Sequence, residues 1–171
     1  MAASASLTFL LGGARSGKSA HAERLATALP GPWTYIATAE AYDGEMRERI
    51  AEHRARRGEG WRTLDAPLDL AGALDSLPAG RPVLVDCLTL WLTNHMLAEH
   101  DLDAECRRLA EVFASPRGPW FVVSNEVGQG IVPDNALARR FRDEAGRLNQ
   151  KIAAIADTVL MMVAGLPLKV K

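Results

Sequence analysis

The sequence has little cysteine, few aromatic residues and almost no net charge. Its two cysteines, Cys87 and Cys106, lack the close spacing of a metal or redox motif, so a disulfide framework is not expected. The 20 basic and 21 acidic residues give a formal charge of −1, without the basic excess typical of a dedicated nucleic-acid-binding protein. Hydrophobic residues make up 48% of the 171 positions, which argues against intrinsic disorder and for a buried core.

Long hydrophobic runs are also missing. The longest nearly apolar stretch, residues 158–168, is interrupted by Gly165 and Pro167 and is shorter than the roughly 20 residues of a membrane span. The apolar stretch near the N-terminus has no basic region before it and continues into a glycine motif, so it is interpreted as a buried strand. Without repeats or a long linker, we predict one cytoplasmic domain over residues 1–171, with no membrane span and no nucleic-acid partner.

Apolar runs alternate with helical patterns along the chain. Strands are predicted at residues 7–11, 33–38, 83–87, 120–124 and 158–163, and helices at 18–29, 43–57, 68–77 and within 90–113. Asp134 is the predicted N-cap of a further long helix. This alternation predicts an α/β fold with three layers and a mainly parallel sheet.

Residues 12–19, with the sequence GGARSGKS, match the complete G-x-x-x-x-G-K-S phosphate-binding motif. A predicted buried strand precedes the motif and a predicted helix follows it, which is the context of a P-loop. The glycines let backbone N–H groups point at phosphate oxygens, and the helix dipole adds positive potential. Lys18 is expected to reach the β- and γ-phosphates and Ser19 to ligate Mg²⁺. The predicted loop comprises Gly12, Gly13, Ala14, Arg15, Ser16, Gly17, Lys18 and Ser19.

Polar residues lie where several predicted strands end. Asp86 ends an apolar run and is a candidate to hold Mg²⁺, while Thr38 and Glu126 lie at the ends of two other strands. Ligands of parallel sheets bind at the carboxyl ends of the strands, so these residues and Ser19 are expected at one rim. A helix cap at Asp86 and a purely structural Glu126 are the alternatives.

Arginines surround His53, unlike the other histidines. Its helical stripe includes Ile50 and Arg57, so a core position and a neutral imidazole nucleophile are both open interpretations. The nearby guanidiniums favour neutral imidazole and suit phosphate binding, although a solvated, salt-bridged helix also accounts for them. At 1.5 Å per residue, His53 lies about 15 Å along a helix that starts near residue 43. A catalytic role therefore requires this helix to start far from the loop, to move or to serve another subunit.

Several ordered motifs together resemble one family. They are GGARSGKS at 12–19, YIAT at 35–38, E-M-x-x-R-I-x-x-H at 45–53, WRT at 61–63, DCLT at 86–89, S-N-E-V-G-x-G-I-V-P at 124–133 and R-x-F-R-D-x-x-G-R-x-N-Q at 139–150. Over nearly the whole chain this set closely resembles the bifunctional adenosylcobinamide kinases / adenosylcobinamide-phosphate guanylyltransferases of cobalamin biosynthesis. The resemblance implies phosphorylation of adenosylcobinamide by ATP or GTP, followed by GMP transfer from GTP, which gives adenosylcobinamide-GDP and pyrophosphate.

The resemblance also implies roles for particular residues. His53 is the residue expected to become guanylylated, with Lys18 as a second catalytic residue and with Ser19 and Asp86 at Mg²⁺. Nucleotide contacts beyond the loop are implied at Ala37, Thr38, Ala39, Arg54, Ala55, Arg56, Arg57, Asp65 and Asp86. The family resemblance further implies a homotrimer in which the histidine helix meets a neighbouring subunit.

Three other functions compete with this interpretation. A single-activity P-loop kinase would use the histidine helix as a lid or acceptor-binding segment and would form no covalent nucleotide adduct. A regulatory GTPase requires an N-K-x-D motif, and the nearest match, at residues 149–152, lacks both the order and the aspartate. A nucleic-acid-dependent ATPase is supported only by the arginines at 54–57 and is opposed by the net charge.

Overall fold

The computed structural model describes residues 4–40, 44, 47–48, 50–51, 55 and 57–171. The strands are β1 (Ser6–Gly12), β2 (Trp33–Ala37), β3 (Trp61–Asp65), β4 (Val83–Asp86), β5 (Pro119–Asn125), β6 (Thr158–Val163) and β7 (Leu166–Lys169). The helices with complete bounds are α1 (Lys18–Thr27), α2 (Leu70–Asp75), α3 (Leu88–Leu97), α4 (Leu102–Phe113) and α5 (Ala136–Ile155). In this described part of the chain, no helix is long and apolar enough to cross a membrane.

The seven strands form one sheet in the order β3-β2-β4-β5-β1-β6-β7. Every neighbouring pair is parallel except β6 and β7, which are antiparallel. The strand that leads into the glycine motif, β1, lies between β5 and β6. The predicted α/β fold with a mainly parallel sheet is thus confirmed.

The sheet buries both faces because its strands are apolar at nearly every central position. Alternate side chains point to opposite faces. One face packs against α1 and includes Leu10, Tyr35, Leu84, Phe121 and Val123. The other face carries Phe9, Ile36, Val85, Val122 and Val159 and packs against side chains of the helices α2 to α5. Among the helices with complete bounds, one covers the first face and four pack on the second, so the predicted three layers are confirmed.

The two edge strands and one helix cap differ from the sequence prediction. Neither β3 nor β7 was predicted, because β3 is largely exposed and all four residues of β7 are exposed, so neither has the apolar run of a buried strand. The N-cap of α5 is Asn135, whose Oδ1 accepts a hydrogen bond from the Ala138 N–H at 2.8 Å. The prediction of Asp134 as the cap was therefore wrong by one residue.

Residues 44, 47, 48, 50, 51 and 55 are helical, in agreement with the helix predicted over 43–57. The candidate nucleophile His53, together with Arg54 and Arg56, lies outside the described residues. The predicted position of His53 relative to the phosphate loop therefore stays a prediction.

Two other histidines form a hydrogen-bonded pair at the end of α3. His95 is 2% exposed, and its Nε2 lies 3.1 Å from the carbonyl oxygen of Leu68. Because a carbonyl oxygen only accepts, a neutral His95 carries its proton on Nε2. Its Nδ1 then accepts from Nδ1 of His100, 3.0 Å away. Since burial lowers the pKa of His95, the neutral imidazole is the form that this site stabilises.

Acidification is expected to destabilise the fold through His95. Its folded-state pKa lies below the ordinary value of 6.5, so protons bind preferentially to the unfolded chain as the pH falls below 6.5. This contribution is intact above that pH and is lost below it, with a slope of at most about 1.4 kcal/mol per pH unit. We expect His95→Gln to flatten the pH dependence of the free energy of unfolding in denaturant titrations. Parallel pH curves for the variant and the unmodified protein would contradict this assignment.

Candidate nucleotide site

The glycine motif forms a tight loop between β1 and α1 whose path requires glycine at two positions. Gly17 has φ +89°, a conformation that L side chains rarely adopt, and a Cβ there would lie 3.2 Å from the Cα of Gly165. At Gly12, a Cβ would lie only 2.4 Å from the Oγ of Ser16. The sequence therefore folds this segment into a compact turn that larger residues at these positions would open.

Hydrogen-bond donors and one buried cation concentrate in this loop. Lys18 is only 8% exposed, and its Nζ donates to the Gly13 carbonyl at 2.8 Å. The N-cap of α1, Gly17, has no side chain to accept from the N–H groups of the first helical turn. The Ser16 Oγ is buried without a hydrogen-bond partner among the residues that the structure describes. A cation and N–H groups at one helix N-terminus suit the oxygens of a phosphate chain.

The turn between β6 and β7 supports the phosphate loop from one side. The Gly165 N–H donates to the Ser16 carbonyl oxygen at 3.0 Å. Ala164 and Gly165 both have positive φ, at 50° and 81°, as the two central residues of a type I′ hairpin turn do. The hairpin turn therefore contacts the loop at Ser16 by a hydrogen bond and at Gly17 by close packing.

Two acids end strands at the same edge of the sheet. Ala37 pairs with Asp65 of β3 on one side and with Asp86 of β4 on the other. Paired residues of parallel strands point to the same face, so the Cα atoms of the two acids lie about 10 Å apart, two strand spacings. Asp65 is exposed and Asp86 is half-buried, with Oδ2 accepting from the Tyr35 hydroxyl at 3.2 Å. Both acids belong to the sheet face that α1 covers.

The oxygen donors of this edge fit Mg²⁺. The Ser19 hydroxyl lies in the first turn of α1, and the Asp86 carboxylate ends β4. No group of three or more His, Cys, Asp or Glu residues among those described is placed to hold a metal ion. Mg²⁺ usually takes one or two protein ligands together with substrate phosphates and water, so such a sparse oxygen set is what it requires. The residues present therefore suit a metal that arrives with its nucleotide.

Thr38 and Glu126 lie at the expected strand ends, but their polar groups bond within the protein. The Thr38 hydroxyl donates to the Cys87 carbonyl at 2.6 Å and accepts from the Cys87 N–H at 2.8 Å, and the residue is fully buried. The Nδ2 of Asn94 donates to the carbonyl oxygen of Thr38 at 2.8 Å. The backbone N–H of Glu126 donates to the Gly12 carbonyl oxygen, and its side-chain Oε1 accepts from the Gly128 N–H at 2.6 Å. These contacts give both side chains structural roles at the rim, and partly buried Ala37 and Ala39 flank Thr38.

Arg57 lies against the same sheet face. Its guanidinium carbon is 3.5 Å from the centre of the Tyr35 ring, and its Nη1 is buried without a hydrogen-bond partner among the described residues. Ala55 is exposed. Of the implied nucleotide contacts in residues 43–57 (the histidine segment), Ala55 and Arg57 are described, and Arg57 is linked to Asp86 through the Tyr35 side chain.

A buried polar network behind the rim was not predicted. The Ser124 hydroxyl donates to Oδ1 of Asn149 at 2.8 Å, and Nδ2 of Asn149 donates to the Asn125 carbonyl at 3.2 Å. The Thr89 hydroxyl accepts from the Asn125 backbone N–H at 2.7 Å. These bonds join α3 and α5 to the end of β5 beside Gly12. The motifs at 86–89, 124–133 and 139–150 contain these residues, but pattern alone assigns them no partner.

Comparison with known proteins gives one family and several relatives. Residues 8–170 match the family described as CobU, cobinamide kinase / cobinamide phosphate guanyltransferase. The "bifunctional adenosylcobalamin biosynthesis protein CobP" of Pseudomonas aeruginosa is 54% identical over 165 residues, which cover 95% of each chain. The corresponding CobU protein of Salmonella typhimurium is 39% identical over 182 residues, covering 96% of this chain and 99% of that protein.

Solved structures with low sequence identity share the fold. The flagellar accessory protein FlaH from Methanocaldococcus jannaschii superposes with a TM-score of 0.54 at 13% identity, covering 97% of this chain and 78% of that one. At such low identity the likeness concerns the fold alone.

Proposed function

Because this chain belongs to the cobinamide kinase / cobinamide phosphate guanyltransferase family, we propose that one P-loop site carries out both of its reactions, the second of them through a guanylylated His53. The chain is a bifunctional enzyme of cobalamin biosynthesis, and its proposed substrates are ATP or GTP, adenosylcobinamide and adenosylcobinamide phosphate. One observation supports the single-site proposal. Lys18 belongs to the loop that follows β1, and Asp86 and Asp65 end strands at the same edge of the parallel sheet.

In the kinase reaction, the aminopropanol hydroxyl oxygen of adenosylcobinamide attacks the γ-phosphorus. The bond from that phosphorus to the β–γ bridging oxygen breaks, and the nucleoside diphosphate leaves with the electron pair, while the hydroxyl proton is released to solvent. Negative charge on the transferred group is stabilised by donors already in place. In this chain those donors are the Lys18 ammonium and the backbone N–H groups at the start of α1.

In the second reaction, an imidazole nitrogen of His53 attacks the α-phosphorus of GTP. The α–β phosphoanhydride bond breaks and pyrophosphate leaves with its electron pair, so a phosphoramidate forms. A phosphate oxygen of adenosylcobinamide phosphate then attacks the same phosphorus. The P–N bond breaks and its electron pair returns to the imidazole, which regenerates the enzyme and releases adenosylcobinamide-GDP.

We propose Ser19 and Asp86 as the protein ligands of Mg²⁺. When bound, the ion neutralises phosphate charge that builds up during transfer. The remaining proposed nucleotide contacts are Gly12, Gly13, Ala14, Arg15, Ser16, Gly17, Ala37, Thr38, Ala39, Arg54, Ala55, Arg56, Arg57 and Asp65. A cytoplasmic homotrimer, in which the histidine segment meets a neighbouring subunit, completes the proposal.

Labelling with GTP tests the covalent step directly. We expect incubation with α-labelled GTP and Mg²⁺ to leave acid-labile, base-stable label on the protein, because a phosphoramidate hydrolyses in acid. Adenosylcobinamide phosphate should transfer this label into adenosylcobinamide-GDP, and γ-labelled GTP should leave no such label. A protein that phosphorylates adenosylcobinamide but never acquires α-label would instead be a single-activity kinase.

A further inference from the structure

One side chain, Tyr35, contacts both a carboxylate and a guanidinium of the candidate site. Its hydroxyl donates to Oδ2 of Asp86 at 3.2 Å. Its ring centre lies 3.5 Å from the guanidinium carbon of Arg57. Asp86 ends β4, whereas Arg57 follows the helical residues of the histidine segment. Tyr35 therefore contacts both the carboxylate at the end of β4 and the guanidinium that follows the helical residues of the histidine segment.

The environment of Tyr35 holds its ring in one position. The residue is 4% exposed, and the Trp61 ring meets it edge-on at 6.3 Å between centroids. Trp61 in turn packs on Trp33 at 5.7 Å. A carboxylate oxygen only accepts, so the Tyr35 hydroxyl is the donor of its bond to Asp86. The result is a packed aromatic ring with a hydrogen-bond donor at its tip.

The stacked guanidinium of Arg57 has an N–H group that no described residue accepts from. Its Nη1 is buried and has no hydrogen-bond partner within the described part of the chain. A buried, unpaired N–H of a cation is unfavourable, whereas an oxyanion in reach would accept from it and stabilise it. The ring contact occupies one face of the guanidinium, so its N–H groups are the part that such an acceptor would bind.

We propose that Tyr35 is a positioning residue that couples the two halves of this site. Its hydroxyl orients the Asp86 carboxylate for the metal–nucleotide complex, and its ring orients Arg57 toward phosphate oxygens during guanylyl transfer. The second role rests on the proposed function, whereas the first requires only a metal–nucleotide site. The two roles belong to different atoms of one side chain, so they separate on substitution.

Three variants test this proposal: Tyr35→Phe, Tyr35→Leu and, as a control from the same core cluster, Phe121→Leu. Binding of α,β-methylene-GTP, which cannot donate GMP, is measured by calorimetry with Mg²⁺ and with EDTA. We expect Tyr35→Phe to weaken Mg²⁺-dependent binding about tenfold and to leave metal-free binding unchanged, because only a hydrogen bond to a charged group is lost. Tyr35→Leu should weaken binding equally, and Phe121→Leu should not.

The ring is tested by the rate of protein labelling with α-labelled GTP at saturating nucleotide. We expect Tyr35→Leu to label about tenfold more slowly than Tyr35→Phe, since it also loses the cation–π contact. In an Arg57→Met background this difference between Phe and Leu should disappear. Thermal unfolding of each variant checks that folding is retained, and Tyr35→Phe keeps the ring packing if the leucine variant is unstable.

Each arm has a result that overturns the proposal. Unchanged Mg²⁺-dependent binding in Tyr35→Phe removes the role of the hydroxyl. Equal labelling rates for Tyr35→Phe and Tyr35→Leu, or a difference that persists without Arg57, remove the role of the ring. If the unmodified protein acquires no label, the proposed guanylyl transfer is wrong, and so is the proposed role of the ring. The binding measurements then still test the role of the hydroxyl.

Discussion

Substituting His53 with alanine is expected to abolish protein labelling by α-labelled GTP and to leave the kinase reaction in place. Alanine has no nucleophilic nitrogen, so the phosphoramidate cannot form, whereas γ-phosphoryl transfer does not involve His53. By analogy with the removal of other catalytic nucleophiles, guanylyl transfer should fall by a factor on the order of 10⁴ to 10⁶. The formation of adenosylcobinamide phosphate and of adenosylcobinamide-GDP, measured separately, gives both rates.

The matched control for this variant is His21→Ala. His21 lies in α1 just after the phosphate loop, and its Nδ1 is 2.9 Å from a guanidinium nitrogen of Arg24. Removing it deletes an imidazole close to the site without touching the proposed nucleophile, so labelling should persist. Label that survives His53→Ala, or that disappears in His21→Ala, would overturn the assignment of His53.

Replacing Lys18 with methionine is expected to slow both reactions by about 10² to 10³, the usual cost of removing one charge-stabilising donor. Methionine keeps much of the aliphatic length, so the buried stem remains packed while the ammonium that donates to Gly13 is lost. The single-site proposal has one loop serve both reactions, so it predicts that the two rates fall together. Steady-state assays of the kinase and of the guanylyltransferase on the same preparation measure this.

Lys151→Ala provides the control for a lost lysine charge. Its ammonium is exposed, 3.8 Å from the Asp103 carboxylate of α4, and Lys151 belongs to α5 and not to the phosphate loop. Both activities of this control should match those of the unmodified protein. If Lys18→Met impaired one reaction and spared the other, the two activities would use different phosphate sites, and the single-site proposal would be wrong.

Most of the fold was predictable because buried parallel strands are apolar at nearly every position. β1, β4 and β5 have this pattern, and the glycine motif between β1 and α1 has a specific sequence signal. β3 and β7 were missed since edge strands are paired on one side only and largely exposed, which removes the apolar run. The family predicted from the ordered motifs is confirmed by the match over residues 8–170.

The candidate site was predictable only where chemistry follows from local sequence. Lys18 belongs to a contiguous motif, whereas the partners of Thr38 and Tyr35 lie 49 and 51 positions away in the chain. Which side chains meet at such separations depends on the order and register of β2 and β4, and no local pattern encodes these. Thr38 and Tyr35 belong to the same YIAT motif, so the sequence did not distinguish them, although the Thr38 hydroxyl bonds to Cys87 and the Tyr35 hydroxyl to Asp86.

The contact between Gly165 and Ser16 makes the phosphate loop depend on a remote part of the chain during synthesis. The loop emerges early from the ribosome, but the hairpin turn that supports it is translated much later. A second bond joins the two ends of the chain in the same way, because the backbone N–H of Leu7 donates to the carboxylate of Asp157, 150 positions later. A nascent chain that stops before residue 165 therefore carries the whole nucleotide motif without its supporting turn. Premature termination just upstream of the hairpin should accordingly release a product with an incompletely formed phosphate loop.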